Sequence, residues 1–144
     1  MKPSNQSHQT ILVVGGTGKT GKRVVEQLKS IGHEVRVGSR SAIPSFDWAN
    51  EKSWDACLTG VTSAYITYSP DLAMPGATDA IQAFVSLARR RGVKRLVLLS
   101  GRGEAEAQAC EDIVQESGLE WTVVRASWFN QNFSEGAFID MVLN

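Results

Sequence analysis

Residues that could bind phosphate are concentrated in one short stretch, GGTGKTGK at residues 15–22. It lies between an apolar run and an amphipathic run, so several backbone amides would stand at the start of a helix, where they can bind anions. The triplet GKT is typical of phosphate-binding loops in nucleoside triphosphatases. The spacing of Gly15, Gly18 and Gly21 is instead typical of dinucleotide-binding folds. One interpretation predicts ATP hydrolysis and the other the binding of a redox cofactor.

The triphosphatase interpretation fails by one residue in each register. Its loop requires a glycine, four further residues, and Gly-Lys followed by Ser or Thr, whose hydroxyl binds magnesium. Counting back from Gly18 puts Val13 where the first glycine belongs. Counting forward from Gly16 puts Arg23 where the hydroxyl belongs. No predicted strand ends in the acid that would complete a magnesium site, so we disfavour an ATPase.

The dinucleotide interpretation gives every glycine a physical role. Gly15 ends a strand and permits a tight turn, Gly18 lets the backbone approach the pyrophosphate, and Gly21 lets the helix pack closely on the sheet. The N-terminus of the helix adds free amides and the positive end of its dipole. Side chains that could add phosphate contacts are Thr17, Lys19 and Thr20.

The end of the second predicted strand indicates which dinucleotide is preferred. Enzymes that select NAD usually carry an acid there, which binds the 2′-hydroxyl of the ribose. This chain has Ser39 and Arg40 instead. A guanidinium can pair with a 2′-phosphate, and neighbouring hydroxyls can donate hydrogen bonds to it. We therefore predict that NADP(H) is preferred and that NAD(H) binding is a secondary property; the alternative is an ordinary surface arginine.

Apolar strands and amphipathic helices alternate through the chain after a polar segment, residues 1–10, which we expect to be a flexible tail. Alternation of this kind predicts an α/β domain, residues 11–144, with a doubly wound parallel sheet and helices on both faces. About six strands are expected in the order 3-2-1-4-5-6. Strands are predicted at 11–14, 34–39, 61–68, 94–100 and 119–125, and the loop SAIPSFDW, residues 41–48, is expected to lead into a short third strand.

Residues just after each strand should meet the ligand, because it binds across the carboxyl ends of the strands in such sheets. Asp47 and Trp48 are placed to meet the adenine, although Trp48 could equally pack against the short helix that contains Trp54. The pyrophosphate and the nicotinamide ribose should lie above Thr67, Tyr68 and Ser69, and the nicotinamide near Ser100 and Gly101.

The segment SWFNQNF, residues 127–133, follows the last predicted strand and should border the substrate. Trp128 and Phe129 would form apolar walls, and Asn130 and Asn132 would donate or accept hydrogen bonds. For each residue taken singly, an alternative remains open, in which the aromatic rings belong to the core and the amides cap the last helix.

Composition excludes several classes of protein. Fifteen basic and fifteen acidic residues give no net charge, so neither nucleic acid nor a membrane surface is an expected partner. Two cysteines are too few for a disulfide scaffold, and two isolated histidines build no metal site. The polar N-terminus is unlike a secretion signal, and the aliphatic runs are too short to span a bilayer. A cytoplasmic location is expected.

The motifs GGTGKT, VGSRS and FDW, followed by GVKRLVLLS and SGLEWTVVRASWFNQNF, resemble the atypical short-chain dehydrogenase/reductases of the NmrA-like type. Their combination is particularly similar to bacterial relatives of ergot-alkaloid biosynthesis reductases. The resemblance covers nearly the whole chain. It implies a Rossmann fold, NADP(H) binding through Gly15, Gly18, Gly21 and Arg40, and reductase activity on a small organic substrate. It also implies an alternative, since some members bind the dinucleotide as sensors and regulate partners without turnover.

Two features depart from that family pattern. Many short-chain dehydrogenases use Tyr-x-x-x-Lys, but Tyr65 and Tyr68 are followed four residues later by Ser69 and Leu72, so the catalytic residues stay unassigned. The resemblance also implies a much longer chain with a smaller lobe closing over the substrate. We therefore expect a chain truncated to the N-terminal Rossmann part. The apolar face of FIDMVL at 138–143 would then favour a homo-oligomer.

A reductase without a strong protein acid is chemically reasonable. Hydride transfer mainly needs donor and acceptor carbons held close and aligned, because the cofactor carries the chemistry. We therefore predict an NAD(P)H-dependent reductase acting on an electron-poor small molecule such as a quinone or an imine. The alternative is a non-catalytic dinucleotide sensor that binds a protein partner.

Overall fold

A computed structural model describes residues 10–15, 19–68, 76–101 and 105–126. The predicted tail, except Thr10, and the expected last helix lie outside these ranges. Within them, no helix is long and apolar enough to cross a membrane.

Five strands and four helices alternate along these ranges, as the sequence predicts. The strands are β1 (Thr10–Val14), β2 (Glu34–Gly38), β3 (Val61–Ile66), β4 (Arg95–Gly101) and β5 (Glu120–Ala126). The helices are α1 (Lys19–Ser30), α2 (Trp54–Leu58), α3 (Ala77–Arg90) and α4 (Ala105–Gln115), and a 3-10 turn at Glu51–Ser53 precedes α2.

The five strands form one parallel sheet in the order β2-β1-β3-β4-β5. This order confirms the predicted doubly wound topology, because β2 is added on one side of β1 and the later strands β3, β4 and β5 on the other, which puts the switch point between β1 and β3. Because the five strands are parallel, all their carboxyl ends lie at one edge of the sheet, with those of β1, β2 and β3 adjacent. We call it the ligand edge.

The short third strand expected with the loop SAIPSFDW, residues 41–48, is not one of these five strands, since none lies between β2 and β3 in the chain. Its backbone is engaged in a local turn: the Asp47 carbonyl accepts from the Asn50 amide at 2.9 Å and from Trp54 Nε1 at 2.9 Å. Only an isolated antiparallel bridge joins Asp47 to Asn50. Phe46 reaches back to β2, donating its amide to the Ser39 carbonyl at 2.8 Å. The backbone amide and carbonyl groups that a strand would pair with a neighbouring strand are thus hydrogen-bonded within this segment.

Two apolar layers enclose the sheet. On one face, alternate residues of β1, β3 and β4 pack against α2, α3 and α4, and the largest buried rings are Trp54 and Phe84. On the other face, Ile11, Val13 and Tyr65 pack against the apolar stripe of α1. Burial on both faces accounts for the continuous apolar character of the strands, which is typical of parallel sheets.

Arg36 fixes α2 against the edge strand. From the middle of β2, its Nη1 donates to the carbonyl oxygens of Ala56, Cys57 and Thr59 at 3.2, 2.9 and 2.6 Å. Carbonyl oxygens at a helix C-terminus otherwise lack partners within the helix, and a cation there also interacts favourably with the helix dipole. This contact holds the helix that supports the segment around Asp47.

Candidate functional site

The ligand edge is tied together at the end of β1. The Gly15 amide donates to the Gly38 carbonyl at the end of β2, at 2.8 Å. On the other side, the Thr67 hydroxyl, just beyond β3, donates to the Val14 carbonyl at 3.0 Å. The three strands around the switch point therefore end at fixed positions relative to one another.

Gly15 is the most constrained residue of this edge. Its φ is +81°, in the left-handed region, and a Cβ atom built on it would lie 2.2 Å from Thr67 Oγ1. A side chain would thus be strained by the backbone and excluded by its neighbour. The sequence predicts a tight turn at this glycine, and the structure adds a close approach to β3.

The start of α1 lies just beyond this turn. Lys19 and Thr20 belong to its first turn, and Gly21 is buried, as close packing of this helix on the sheet requires. The first amides of a helix carry partial positive charge and lack partners within it. Two predicted contacts, Thr17 and Gly18, lie outside the described residues.

The residues after β2 leave one cation exposed. The Ser39 carbonyl accepts from two amides of the following loop, and Ser39 Oγ lies 3.2 Å from Ser41 Oγ. Arg40 is exposed. To the described part of the chain it makes no hydrogen bond or ion pair, so its guanidinium is available to an anion.

Trp48 lies inside an aromatic cluster. Its ring centroid is 5.0 Å from those of Phe46 and Tyr68 and 5.5 Å from that of Trp54. Its Nε1 donates to the Thr67 carbonyl at 3.0 Å. This geometry agrees with the packing alternative of the sequence analysis; stacking on adenine stays a prediction. The cluster ties the loop after β2 to the end of β3.

Two other predicted contacts have local roles at the same edge. One carboxylate oxygen of Asp47 accepts from the Ala49 amide at 2.9 Å and so closes the turn. Tyr68 is half-buried against Trp48. Ser69 and the four predicted substrate contacts, Trp128, Phe129, Asn130 and Asn132, lie beyond the residues that the structure describes.

A buried carboxylate that the sequence analysis missed lies at the ends of β4 and β5. Glu111 on α4 is 2% exposed. Its carboxylate accepts from Ser100 Oγ at 2.6 Å and from Arg125 Nε and Nη2 at 3.1 and 2.7 Å. Glu111 shares the buried stripe of α4 with Ala107, Cys110 and Val114. A charged residue at helical spacing on such a stripe is the sequence signal that could have found it.

Hydrogen bonds from Arg125 hold the pKa of Glu111 below its ordinary value of 4.5, and the Ser100 hydroxyl adds to this effect against the opposing effect of burial. Glu111 is therefore ionised at neutral pH, and an ionised carboxylate only accepts hydrogen bonds. The Ser100 hydroxyl proton is accordingly directed toward Glu111.

Acid should weaken the fold through this carboxylate. Because the pKa of Glu111 is lower in the folded than in the unfolded chain, its ionised carboxylate stabilises the fold at pH values above the unfolded-state pKa. This contribution is lost as the pH falls through the folded-state pKa. Between about pH 5 and pH 3, the free energy of unfolding should fall more steeply in the wild type than in Glu111→Gln. Urea unfolding across this range measures both slopes, and parallel slopes would contradict the expectation.

Tyr65 is unsuited to donate a proton to a ligand. It is 0% exposed in the layer beneath α1, and burial raises the pKa of its hydroxyl above its ordinary value. Metal chemistry has no evident center in the described ranges either, since no three His, Cys, Asp or Glu side chains there are grouped to hold an ion.

Comparisons with known proteins agree with this geometry. A protein-family model described as NAD(P)H-binding matches residues 15–141. The agroclavine dehydrogenase of Claviceps fusiformis is 33% identical over 145 residues, covering 87% of this chain and 48% of the relative. Prestalk A differentiation protein A of Dictyostelium discoideum is 31% identical over 144 residues, covering 88% of this chain and 47% of the relative. The chain thus spans about half the length of these curated relatives.

Solved structures of NmrA, a negative transcriptional regulator, share the fold. Structures in complex with NADP and with NAD each match with a TM-score of 0.72 and 21% sequence identity. Each match covers 83% of this chain and 45% of NmrA.

Proposed function

The chain belongs to the NAD(P)H-binding family, and on that premise we propose that it is the cofactor-binding part of an NmrA-like reductase. The reaction would be hydride transfer to a small electron-poor organic molecule, such as a quinone or an imine. The observation that carries the proposal is the ligand edge, where Gly15 lies between Gly38 and Thr67 and α1 begins four residues later.

The residues present fit a dinucleotide. Gly15 has no room for a Cβ atom, so the chain offers backbone and not side chain at the point where the first strand turns into the first helix. The pyrophosphate would be held by the Gly15–Gly21 segment and the first amides of α1. Thr67 and Tyr68 would border it from the side of β3, and Ser100 and Gly101 would border the nicotinamide.

The cofactor would supply the hydride, and the protein would position the cofactor and the substrate. The aromatic cluster around Trp48 and the hydrogen bonds at Gly15 and Thr67 fix the ends of β1, β2 and β3 relative to one another. Such preorganisation lowers the entropy that binding must remove and favours alignment of the reacting carbons.

Preference for NADP(H) over NAD(H) is the finer part of the proposal, and Arg40 supports it. Arg40→Ala should weaken NADPH binding by about 1.5–3 kcal/mol, the scale of hydrogen bonds to charged groups. NADH lacks the 2′-phosphate, so its affinity should hardly change. Calorimetric titration with both cofactors measures the difference.

Arg90→Ala is the matched control for this experiment, because Arg90 is also an exposed arginine but lies in the last turn of α3, before the amino end of β4. It should leave both affinities unchanged. Equal losses of NADPH and NADH affinity in Arg40→Ala would refute the assignment of Arg40 to the 2′-phosphate.

A dinucleotide sensor that binds a protein partner is the second candidate, favoured by one observation: Tyr65 is 0% exposed, so it presents no hydroxyl that could donate a proton to a substrate. A screen of NADPH oxidation against quinones and imines separates the two functions. Turnover above the buffer rate would support the reductase, whereas tight NADPH binding without turnover would support the sensor.

A further inference from the structure

An ionic network joins the ends of β4 and β5 to α4. Ser100 and Arg125 are partners across the two strands, and each is the second-last residue of its strand. Both donate to the same Glu111 carboxylate, Ser100 from Oγ and Arg125 through Nε and Nη2. One side chain of α4 thus fixes both strand ends at the ligand edge.

A second Arg–Glu pair, at the opposite edge of the sheet, shows that the burial of the Glu111 carboxylate is the unusual feature. Arg95 and Glu120 are the first residues of β4 and β5 and also partners, with Arg95 Nε 3.1 Å from Glu120 Oε1. The Glu120 side chain is 69% exposed, whereas that of Glu111 is 3% exposed. The Arg95–Glu120 pair joins β4 to β5, whereas the Arg125–Glu111 pair joins β5 to α4, and of these two pairs only the one at the ligand edge buries its carboxylate.

Burial of this carboxylate is poorly explained by stability alone. Desolvating a carboxylate opposes folding, and an apolar residue of similar size often stabilises a core at least as well. What a buried, fully hydrogen-bonded carboxylate does supply is a defined geometry, because its partners must keep their positions to satisfy it. That geometry is imposed on Ser100, which directly precedes the last residue of β4.

We infer that Glu111 is a positioning residue for the nicotinamide half of the dinucleotide site, acting through its contacts with Ser100 and Arg125. The inference rests on the proposed function, which puts the nicotinamide beside Ser100 and Gly101. The adenosine half would lie at the ends of β1 and β2, on the other side of β3, and should be independent of Glu111.

Glu111→Gln tests whether Glu111 affects the nicotinamide half alone, because glutamine keeps the shape of glutamate but lacks the charge. The affinities of NADPH and of 2′,5′-ADP, which contains only the adenosine half, are measured by calorimetry. NADPH should bind roughly tenfold more weakly to the variant, the scale of one lost charge-assisted hydrogen bond. The affinity of 2′,5′-ADP should stay within about twofold, since its contacts lie on β1 and β2.

Glu120→Gln is the matched control, since it breaks the Arg–Glu pair at the amino ends of the same strands and should leave both affinities unchanged. If Glu111→Gln does not fold, Arg125→Lys replaces it, because lysine keeps the charge but lacks the planar fork that makes two contacts. The same selective loss of NADPH affinity is expected.

Parallel weakening of NADPH and 2′,5′-ADP would overturn the inference, because it would show general loosening of the sheet. Unchanged affinity for both would overturn it equally. A wild-type protein that binds neither ligand would contradict the proposed function itself, and the inference would fall with it.

Discussion

Gly15→Ala should abolish dinucleotide binding and lower the free energy of unfolding by about 2–5 kcal/mol. A Cβ atom in the left-handed region costs about 1–2 kcal/mol. Overlap with Thr67 Oγ1, which would lie 2.2 Å away, adds the cost of overpacking, about 1–3 kcal/mol. Urea unfolding measures the stability, and NADPH titration measures the binding.

Gly60→Ala separates the two contributions. Gly60 has nearly the same backbone angle, φ +78°, but a Cβ atom there would meet nothing within 4 Å. This variant should therefore lose only the backbone term, about 1–2 kcal/mol, and should bind NADPH normally. Equal destabilisation in the two variants would show that the close approach of Thr67 is unimportant.

Thr67→Ala provides an independent check through a double-mutant cycle. Alone, it removes the hydrogen bond to the Val14 carbonyl, which contributes about 1 kcal/mol. Combined with Gly15→Ala, it also removes the clashing oxygen and leaves a Cβ contact of 3.6 Å, which is ordinary. The double variant should thus be more stable than the sum of the single effects predicts, with a coupling of about 1 kcal/mol or more.

Trp54→Ala should destabilise the domain by about 3–5 kcal/mol, the range for truncating a buried aromatic side chain. Trp54 is 1% exposed, stacks 5.9 Å from Phe46 and lies 5.5 Å from Trp48. Its Nε1 also satisfies the Asp47 carbonyl, so the turn before α2 depends on it. Chemical unfolding measures the loss.

Trp121→Ala is the control for tryptophan content, since Trp121 is 45% exposed and its truncation should cost well under half as much. Trp54→Phe should keep most of the ring packing and lose mainly the hydrogen bond, about 1 kcal/mol. A Trp54→Ala protein whose free energy of unfolding is within about 1 kcal/mol of the wild type, inside the ordinary range of single substitutions, would show that packing of Trp54 contributes little to the stability of the domain.

Local patterns were sufficient for the architecture. Continuous apolar runs stopped by glycine, alternating with stripes at helical spacing, predicted the parallel sheet and its switch point, and the glycine spacing predicted the turn at Gly15. These signals are local, because strand and helix periodicity and the conformational freedom of glycine are properties of neighbouring residues. The short third strand expected with the loop SAIPSFDW did not form, since hydrogen bonds within the segment between β2 and α2 satisfy the backbone groups of Phe46 and Asp47.

Contacts between distant residues were decided only by the tertiary structure. Thr67 lies against Gly15, Trp48 donates a hydrogen bond to the Thr67 carbonyl, and Glu111 joins Ser100 to Arg125, although these residues are separated in the chain. Each contact depends on the register of neighbouring strands and on the crossover of a helix. The periodicity of apolar residues along the chain encodes neither of these. The sequence alone therefore determined the fold, its family resemblance and the position of the turn at Gly15. The tertiary structure decided that Thr67 lies against this turn and that the buried Glu111 carboxylate joins the ends of β4 and β5, because both depend on contacts between separate elements.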